Sequence, residues 1–342
     1  MKAVYLIKPG KMEIMEEPMP QVTPGNVIVK IEYNGICGSD VHFFKEGRVG
    51  DCVLNDKFVL GHEVSGIVVE IGEGVTNLQV NDRVALEPGY ACGKCEFCKT
   101  GRYNLCPDMK FFAAPPVAGA LKEYVSHPAD MCFKLPDNVS TMEGALVEPL
   151  AVGLHATSLG AVSLGQSVVI LGAGCIGLVT LLSAKARGAS KVAVVDLFDK
   201  RLEFAKNMGA DYTINAKKEN VLERMKEIFG MGPDVVFETA GSAVTIAQTS
   251  LIARKGGTVV LVGMAAQSEI MYNFFQAMEK ELTIKCVYRY RNLYPVAIAA
   301  ISSGRINVKQ IVTHEFTFEE SEKAFATVVA DAQNVVKGII KM

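Results

Sequence analysis

Residues 168–177 read VVILGAGCIG, an apolar run that leads into three glycines at G-x-G-x-x-G spacing and then into an apolar helical pattern. Gly172 permits a tight turn after a strand, Gly174 lets the backbone approach a pyrophosphate, and Gly177 allows close helix–strand packing. An anion would then lie on the helix N-terminus. This stretch predicts the first strand, turn and helix of a dinucleotide-binding fold.

The next strand pattern supports the same interpretation. Residues 191–196, KVAVVD, end in an acid 19 residues after Gly177, where a carboxylate would accept hydrogen bonds from the adenine-ribose hydroxyls. A carboxylate at Asp196 would repel a 2′-phosphate, which favours NAD over NADP. Arg201 could pack on the adenine, or could equally be a surface arginine of a helix.

The pattern of strand and helix signals changes along the 342 residues, and this change predicts two domains. Up to about residue 135, short β runs broken by Gly and Pro predict an irregular β-rich domain. Six strand patterns with intervening helices then predict an α/β class, Rossmann doubly wound parallel sheet: 168–171, 191–195, 212–215, 234–238, 258–262 and 283–288. The capping box Ser140-x-x-Glu143 predicts a helix that continues through 145–159. We expect domain boundaries that give 1–147, 148–288 and a C-terminal segment, 289–342.

Composition excludes several classes of function. The net charge of −2 and a pI near 6.3 offer no basic excess for nucleic acid. No apolar run approaches the ~18 residues of a membrane span, and the N-terminal run is too short for a signal peptide, so we expect no membrane partner and a cytoplasmic protein. In that reducing compartment, clustered cysteines are more often metal ligands than disulfides.

Four of the nine cysteines form one cluster. Repeated C-x-x-C spacing lets thiolates converge on one tetrahedral ion, and four cysteines leave no coordination position for water. The pattern predicts a closed, structural zinc site, formed by Cys92, Cys95, Cys98 and Cys106. The isolated Cys52, Cys132, Cys175 and Cys286 are expected to be ordinary packed thiols.

A second candidate set is distributed along the chain. Cys37, His62 and Glu63 are potential metal ligands, and Glu148 lies in the otherwise apolar run 145–154, where a carboxylate is costly to desolvate unless paired or metal-linked. Taken singly, each has an ordinary interpretation as a packed thiol, a satisfied histidine or a helix-end acid.

Together these motifs resemble the zinc-containing medium-chain alcohol dehydrogenases along the length of the chain. The pattern G-H-E-x-x-G-x-x-x-x-x-G-x-x-V is complete from Gly61 to Val75, as are the four-cysteine lobe, at about 89–107, and the nucleotide fingerprint. Within the family, the polyol branch (sorbitol, xylitol or L-iditol 2-dehydrogenase) is most similar, in 37–44, 101–116, 148–156 and above all 287–298, VYRYRNLYPVAI. A GroES-like catalytic domain is therefore expected beside the Rossmann domain.

The resemblance implies roles for individual residues. The catalytic zinc would be held by Cys37, His62, Glu63 and Glu148, the last directly or through water. The substrate pocket would be formed by Ser39, Phe43, Phe112, Glu148, Arg289 and Tyr290. Phe43 stands where several polyol dehydrogenases have tyrosine. The cofactor would contact Gly172, Gly174, Cys175, Ile176, Gly177, Asp196, Arg201, Val262, Gly263, Met264, Tyr288 and Arg289. A homo-oligomer, tetramer or dimer, is also implied.

The expected activity is oxidation of a polyol's secondary alcohol by NAD, with two zinc ions per chain. Zinc would act as the Lewis acid and the Rossmann turn would position the nicotinamide. A proton could leave through Ser39 and Glu148, or through His42, which could equally be a surface histidine. Asp40 would orient a zinc ligand, or could instead cap a loop. Alternatives are a threonine-type or butanediol-type dehydrogenase and, least favoured, a zinc-ribbon binding protein.

Overall fold

The structure is a computed structural model that describes residues 1–265 and 267–342. Contacts within the chain define two compact units. Unit 1 comprises Met1–Glu148 and Tyr294–Met342, and unit 2 comprises Pro149–Leu293. The expected domain boundaries stay a prediction, because dense contacts measure compactness and not independent folding.

The described residues form mixed α and β structure. The strands, in chain order, are β1 (Lys2–Lys8), β2 (Lys11–Glu16), β3 (Asn26–Gly35), β4 (Arg48–Val49), β5 (Cys52–Val53), β6 (Phe58–Val59), β7 (Glu63–Ile71), β8 (Arg83–Leu86), β9 (Gly89–Tyr90), β10 (Lys110–Phe111), β11 (Tyr124–Pro128), β12 (Cys132–Lys134), β13 (Ser167–Leu171), β14 (Lys191–Asp196), β15 (Tyr212–Asn215), β16 (Val235–Glu238), β17 (Thr258–Leu261), β18 (Thr283–Cys286), β19 (Val312–Thr317) and β20 (Lys337–Lys341). The α-helices are α1 (Gly38–Glu46), α2 (Glu96–Lys99), α3 (Thr141–Ala145), α4 (Val147–Leu159), α5 (Cys175–Ala186), α6 (Asp199–Asn207), α7 (Val221–Phe229), α8 (Ala243–Ile252), α9 (Phe274–Glu279), α10 (Tyr294–Ser302) and α11 (Ser321–Ala330). Short 3-10 helices cover Tyr103–Leu105, Ala129–Met131, Val308–Ile311 and Phe318–Glu320.

Unit 1 is built on a seven-stranded sheet in the order β12-β8-β7-β3-β20-β19, with β11 paired to β3. Its central strand, β3, pairs antiparallel with β7 and β20, and Gly35 at its end faces both Glu63 and Ile339. Two apolar clusters pack on this framework, one around Phe44 and Phe325 and one around the inner residues of β3 and β7. Strands β3, β7 and β20 therefore meet where β3 ends.

Unit 2 is a six-stranded parallel sheet in the order β15-β14-β13-β16-β17-β18, with helices between successive strands. This is the doubly wound order, in which the direction of strand addition reverses between β13 and β16. Its interior strands are almost wholly buried, as parallel strands covered on both faces require. The predicted combination of a Rossmann sheet and an irregular β-rich domain is confirmed.

Several local predictions were wrong in detail. The capping box at Ser140 is present, but it begins the short helix α3 and a separate helix, α4, follows. The last strand of the parallel sheet ends at Cys286 and not at Tyr288. Of the four isolated cysteines, Cys132 is buried, Cys175 is half-buried, and Cys52 and Cys286 are exposed, because the last two lie on a short hairpin and an edge strand. Among the described residues, no helix has the length and apolar character needed to cross a bilayer.

Candidate metal and nucleotide sites

Three of the predicted metal ligands lie together in unit 1. One ligand atom from each of Cys37, His62 and Glu63 lies within 4.8 Å of the other two. Cys37 precedes α1, and Glu63 begins β7 as the register partner of Gly35 in β3. A thiolate, an imidazole and a carboxylate are donors that zinc accepts, and three protein ligands leave one tetrahedral position open. This donor set fits a catalytic zinc ion.

Asp40 holds the His62 ring. Its Oδ2 lies 3.4 Å from Nδ1 of His62, and its Oδ1 accepts a hydrogen bond from the backbone N–H of Gly61 at 3.3 Å. Burial lowers the pKa of His62, but the charges of Asp40 and Cys37 outweigh it and raise that pKa well above 6.5. Because Nδ1 faces the carboxylate, Nε2 is the ring atom left for a metal.

Lys337 is a partner of this group that sequence patterns did not reveal. Its Nζ donates to Oε1 and Oε2 of Glu63 at 2.8 and 2.7 Å and to the carbonyl oxygen of Ile36 at 3.0 Å. The side chains of Lys337 and Glu63 are only 2% and 1% exposed. The signal was a lysine inside the apolar run 335–340, VVKGII, since a lysine is almost never fully buried unless it is paired.

Helix α1 carries three other predicted site residues. Ser39 is half-buried in the first turn, two residues after Cys37. His42 has a 39% exposed side chain whose Nδ1 lies 4.0 Å from Glu46, so both its relay and its surface interpretations stay open. Phe43 is buried in the apolar cluster around Phe44. Its predicted place in a substrate pocket stays a prediction.

An aromatic side chain that sequence patterns did not single out, Phe111, lies beside His62. The Phe111 ring centroid is 5.5 Å from that of His62, whereas Phe112 is buried against His127 at 4.7 Å. Strand β10 ends at Phe111 and Phe112 lies in the turn that follows, so the two rings have different neighbours. The predicted place of Phe112 in a substrate pocket stays a prediction. Gly89, paired with Phe111, allows this packing because a Cβ there would lie 2.9 Å from the Phe111 ring.

Glu148 lies in the first turn of α4 and is buried, but it is outside the group of three ligands. Whether it binds zinc directly or through water stays a prediction.

Glu87 is a buried carboxyl near Glu148 that sequence patterns did not reveal. Burial raises the pKa of Glu87 to about 7; the hydrogen bond from Tyr103 Oη, at 2.6 Å, opposes this rise and the charge of Glu148 adds to it.

The four-cysteine lobe is also assembled as a metal site. Ligand atoms of Cys92, Cys95, Cys98 and Cys106 all lie within 4.8 Å of one another, with Sγ of Cys98 3.5 Å from that of Cys95 and 4.0 Å from that of Cys92. Backbone N–H groups of Lys94 and Cys95 lower the pKa of Cys92 to about 6, and burial with the other thiols raises that of Cys98 to about 12. A bound cation would favour the thiolate form of all four cysteines, because their converging sulfur atoms would otherwise repel one another when deprotonated.

In unit 2 the glycine-rich turn has the conformation that its sequence predicts. Gly172 adopts φ +109°, which L side chains rarely do, and a Cβ on Gly177 would lie 1.9 Å from the carbonyl oxygen of Gly172. Gly174 is the N-cap residue of α5, which begins with Cys175 and Ile176. The turn lies at the carboxyl end of β13, beside the switch point of the sheet. These features fit a pyrophosphate at the N-terminus of α5.

Asp196 ends β14 next to this turn. Its Oδ2 accepts a hydrogen bond from the N–H of Ala173 at 2.7 Å, and its Oδ1 accepts from Leu197 and Phe198 at 2.7 and 3.0 Å. The Arg201 guanidinium lies 5.5 Å from the centroid of the Phe198 ring. The carboxylate is therefore held rigidly at the strand end where ribose recognition is predicted.

The remaining predicted cofactor residues follow β17 and β18. The N–H groups of Val262 and Gly263 donate to the carbonyl oxygen of Glu238 at 2.8 and 2.9 Å, and a Cβ on Gly263 would lie 2.2 Å from Gly241 N. Met264 and Tyr288 are exposed, Tyr290 is buried, and Arg289, at φ +55°, lies over the Tyr288 ring at 5.0 Å. Their contacts with cofactor or substrate stay predictions.

Comparison with known proteins agrees with both halves of the chain. Residues 23–137 match the alcohol dehydrogenase GroES-like domain, and residues 175–303 match the zinc-binding dehydrogenase family. Sorbitol dehydrogenase of Gallus gallus is 44% identical over 95% of this chain and 92% of its own length.

Solved structures extend the comparison. An Escherichia coli oxidoreductase/dehydrogenase of unknown specificity is 45% identical, with a TM-score of 0.95 over 99% of this chain and 98% of that one. An E. coli protein described as a short chain alcohol dehydrogenase, in complex with NADH, is 30% identical, with a TM-score of 0.92 over 100% and 99%. The chain therefore belongs to the zinc-containing medium-chain alcohol dehydrogenases, in their polyol dehydrogenase branch, and is an oxidoreductase of the zinc alcohol dehydrogenase type.

Proposed function

We propose that this protein oxidises a secondary hydroxyl of a polyol to a ketone and reduces NAD. The observation that carries the proposal is the Cys37, His62 and Glu63 group, whose mixed donors leave a position open for an alcohol oxygen. The second requirement, a dinucleotide, is supported by the glycine turn and by Asp196 in unit 2.

Two zinc ions per chain are proposed, one held by Cys37, His62 and Glu63 and one by the four-cysteine lobe. When bound, the first would supply a Lewis acid that makes a hydroxyl acidic at neutral pH, and the nicotinamide would accept hydride. The protein's own contribution is to fix the ligands: Asp40 orients His62, and Lys337 holds Glu63. The four thiols of the lobe leave no open position, so that site is structural.

NAD is proposed in preference to NADP. The carboxylate of Asp196 is anchored by three backbone N–H groups and cannot move away from a 2′-phosphate without losing them. A doubly charged phosphate near a fixed carboxylate is repelled, whereas ribose hydroxyls can donate to it.

The polyol substrate is inferred from the branch of the family and from the sequence 287–298. Ser39 and Glu148 are proposed to accept and pass on the alcohol proton, with His42 as the alternative route. Glu148 is buried, whereas the side chain of His42 is 39% exposed, and burial suits a group that handles a proton beside a substrate. Arg289 and Tyr290 are proposed to contact further hydroxyls.

A homo-oligomer is proposed through unit 2. Strand β18 pairs with only one neighbour among the described strands, and its exposed edge could add another strand. Three large apolar side chains of the nearby helix α9, Phe274, Phe275 and Met278, are 67–73% exposed. Such a cluster suits a protein interface. Phe274→Asp should lower the mass measured by light scattering without changing the fold measured by circular dichroism.

A substrate panel tests the function. Purified, zinc-verified protein is supplied with NAD⁺ and with sorbitol, xylitol, galactitol, ribitol, threonine or 2,3-butanediol, and NADH formation is followed by absorbance. We expect the highest kcat/KM with a polyol. A preference for threonine or butanediol would refute the substrate class, and no NADH from any secondary alcohol would refute the dehydrogenase assignment. His62→Ala is the inactive control.

A further inference from the structure

A single lysine joins the two chain segments that carry the candidate metal ligands. Lys337, the first residue of β20, donates to both oxygens of Glu63 and to the carbonyl of Ile36, the residue before Cys37. An ammonium group has three N–H donors, and these three acceptors match that number. The geometry at Glu63 and the geometry at Cys37 therefore depend on the same cation.

The local backbone is shaped to admit this arrangement. Gly35 faces Glu63 in the β3–β7 register, and a Cβ at position 35 would lie 2.1 Å from Oε2 of Glu63. The carboxylate thus occupies the space that a side chain at Gly35 would fill. Strand β20 is aligned with β3 by the N–H of Ile36, which donates to the carbonyl of Gly338 at 3.0 Å. These contacts bring the ammonium group to both carboxylate oxygens.

The charges make the pair significant for a metal. Glu63 and Lys337 are both almost fully buried, and a buried carboxylate needs a compensating charge. A divalent ion at Cys37, His62 and Glu63 would provide that charge, but Lys337 already provides it. The ammonium and the metal would therefore share the lone pairs of one carboxylate.

We infer that Lys337 is a positioning residue that replaces part of the metal's charge: it keeps the site assembled when the ion leaves, and it makes Glu63 a weakly held, exchangeable ligand. The inference rests on the zinc site of the proposed function. Without Lys337, the metal-free protein would carry an uncompensated buried carboxylate, which metal binding would relieve. Linkage then requires that loss of the lysine destabilises the metal-free form more than the loaded form and tightens metal binding.

The test compares Lys337→Met with the wild type. Zinc affinity of the first site is measured by competition with a chromophoric chelator, with the four-cysteine lobe kept loaded, and the thermal midpoint Tm is measured with that site filled and emptied. We expect zinc to bind at least tenfold more tightly in Lys337→Met, and the Tm of the emptied form to fall much more than that of the filled form.

Controls separate charge from packing. Lys337→Arg should keep wild-type affinity and Tm, and the double variant Lys337→Met with Glu63→Gln should lose the tightening because the orphan carboxylate is gone. Lys280→Met is the matched control, since Lys280 donates to three backbone carbonyls at 2.8 Å in unit 2. It should lower both Tm values equally and leave zinc affinity unchanged.

Equal loss of Tm in the filled and emptied forms of Lys337→Met, with unchanged or weaker zinc binding, would overturn the inference and leave Lys337 a packing residue. If Lys337→Met does not fold without metal, Lys337→Gln keeps a donor without the charge and must show the same tightening. Failure of the proposed metal site itself is distinguishable, because Cys37→Ser would then bind as much zinc as the wild type.

Discussion

Replacing Asp196 with serine removes the carboxylate that unit 2 holds at the end of β14. In the structure this carboxylate already accepts three backbone hydrogen bonds, from Ala173, Leu197 and Phe198, at 2.7–3.0 Å. Two carboxylate oxygens offer about four lone-pair positions, so at least one remains for a ribose hydroxyl. The substitution thus has two effects, one on the loop and one on the nucleotide.

The two effects can be separated by their dependence on the cofactor. Loss of the three backbone bonds loosens the loop equally for NAD and NADP. Loss of a hydrogen bond to a charged acceptor costs NAD about 1.5–3 kcal/mol, or roughly a 10- to 150-fold decrease in kcat/KM. NADP makes no such bond and is relieved of charge repulsion. The ratio of kcat/KM with NAD to kcat/KM with NADP should therefore fall by at least tenfold, because loosening of the loop affects both cofactors equally.

The assay is steady-state kcat/KM with NAD⁺ and with NADP⁺ on the same polyol. Asp211→Ser is the matched control: Oδ2 of Asp211 accepts from the N–H of Val192 at 2.7 Å, near the beginning of the same strand, so it removes an equal charge far from the predicted ribose. The control should leave the cofactor ratio unchanged. An unchanged ratio in Asp196→Ser would show that this carboxylate does not contact the ribose, and the proposed cofactor preference would lose its physical basis.

Three other predictions concern acid stability, the metals and the substrate. Burial lowers the pKa of His127 to about 4, so below pH 6.5 the unfolded chain binds a proton at this residue that the folded chain does not. The contribution of His127 to the free energy of unfolding should therefore fall by about 1.4 kcal/mol between pH 7.5 and 5.5. Urea titrations of wild type and His127→Gln at both pH values measure this contribution as a difference, because His155 and Glu87 titrate equally in the two proteins. Cys37→Ser should abolish turnover in a folded protein that still binds NADH. Cys95→Ser should lower Tm before it lowers activity, because the four-cysteine site is closed to substrate. Metal analysis should find one zinc fewer per chain in each variant. Arg289→Ala should raise KM for polyols far more than for a monohydric alcohol, and an equal rise for both would contradict substrate contact.

Sequence patterns predicted those features that depend on local rules. The turn at Gly172 and Gly177 follows from backbone geometry, and the six parallel strands follow from runs of apolar residues, so both were found with small errors at their ends. The four-cysteine group was predicted because its members are close in sequence as well as in space. The helix after Ser140 was predicted as one element because a cap marks where a helix begins and says nothing about where it breaks.

Features that depend on distant pairings were not predicted. Phe111 lies beside His62 at the end of β10, a strand that pairs with β9, and nothing in the local sequence indicates that contact. Lys337 lies 274 residues from Glu63, and the register of β20 against β3 decides that the two meet. A buried lysine was visible in the sequence, but its partner could not be read from it.

The pairing of β20 with β3 also sets an order of events during synthesis. Domains fold as units while the chain is made, and the stretch that forms unit 2 is complete before β20 exists. Strand β3 leads directly into Ile36 and the proposed metal ligand Cys37. The lysine that neutralises Glu63 is made 301 residues after Ile36. Until then the carboxylate lacks its cation, and the end of β3 lacks the strand that pairs with it there. Assembly of this metal site is therefore a late step: β3 can pair with β7 and β11 early, but the side of its 33–35 end that β20 joins must stay free of other strands until β20 is made.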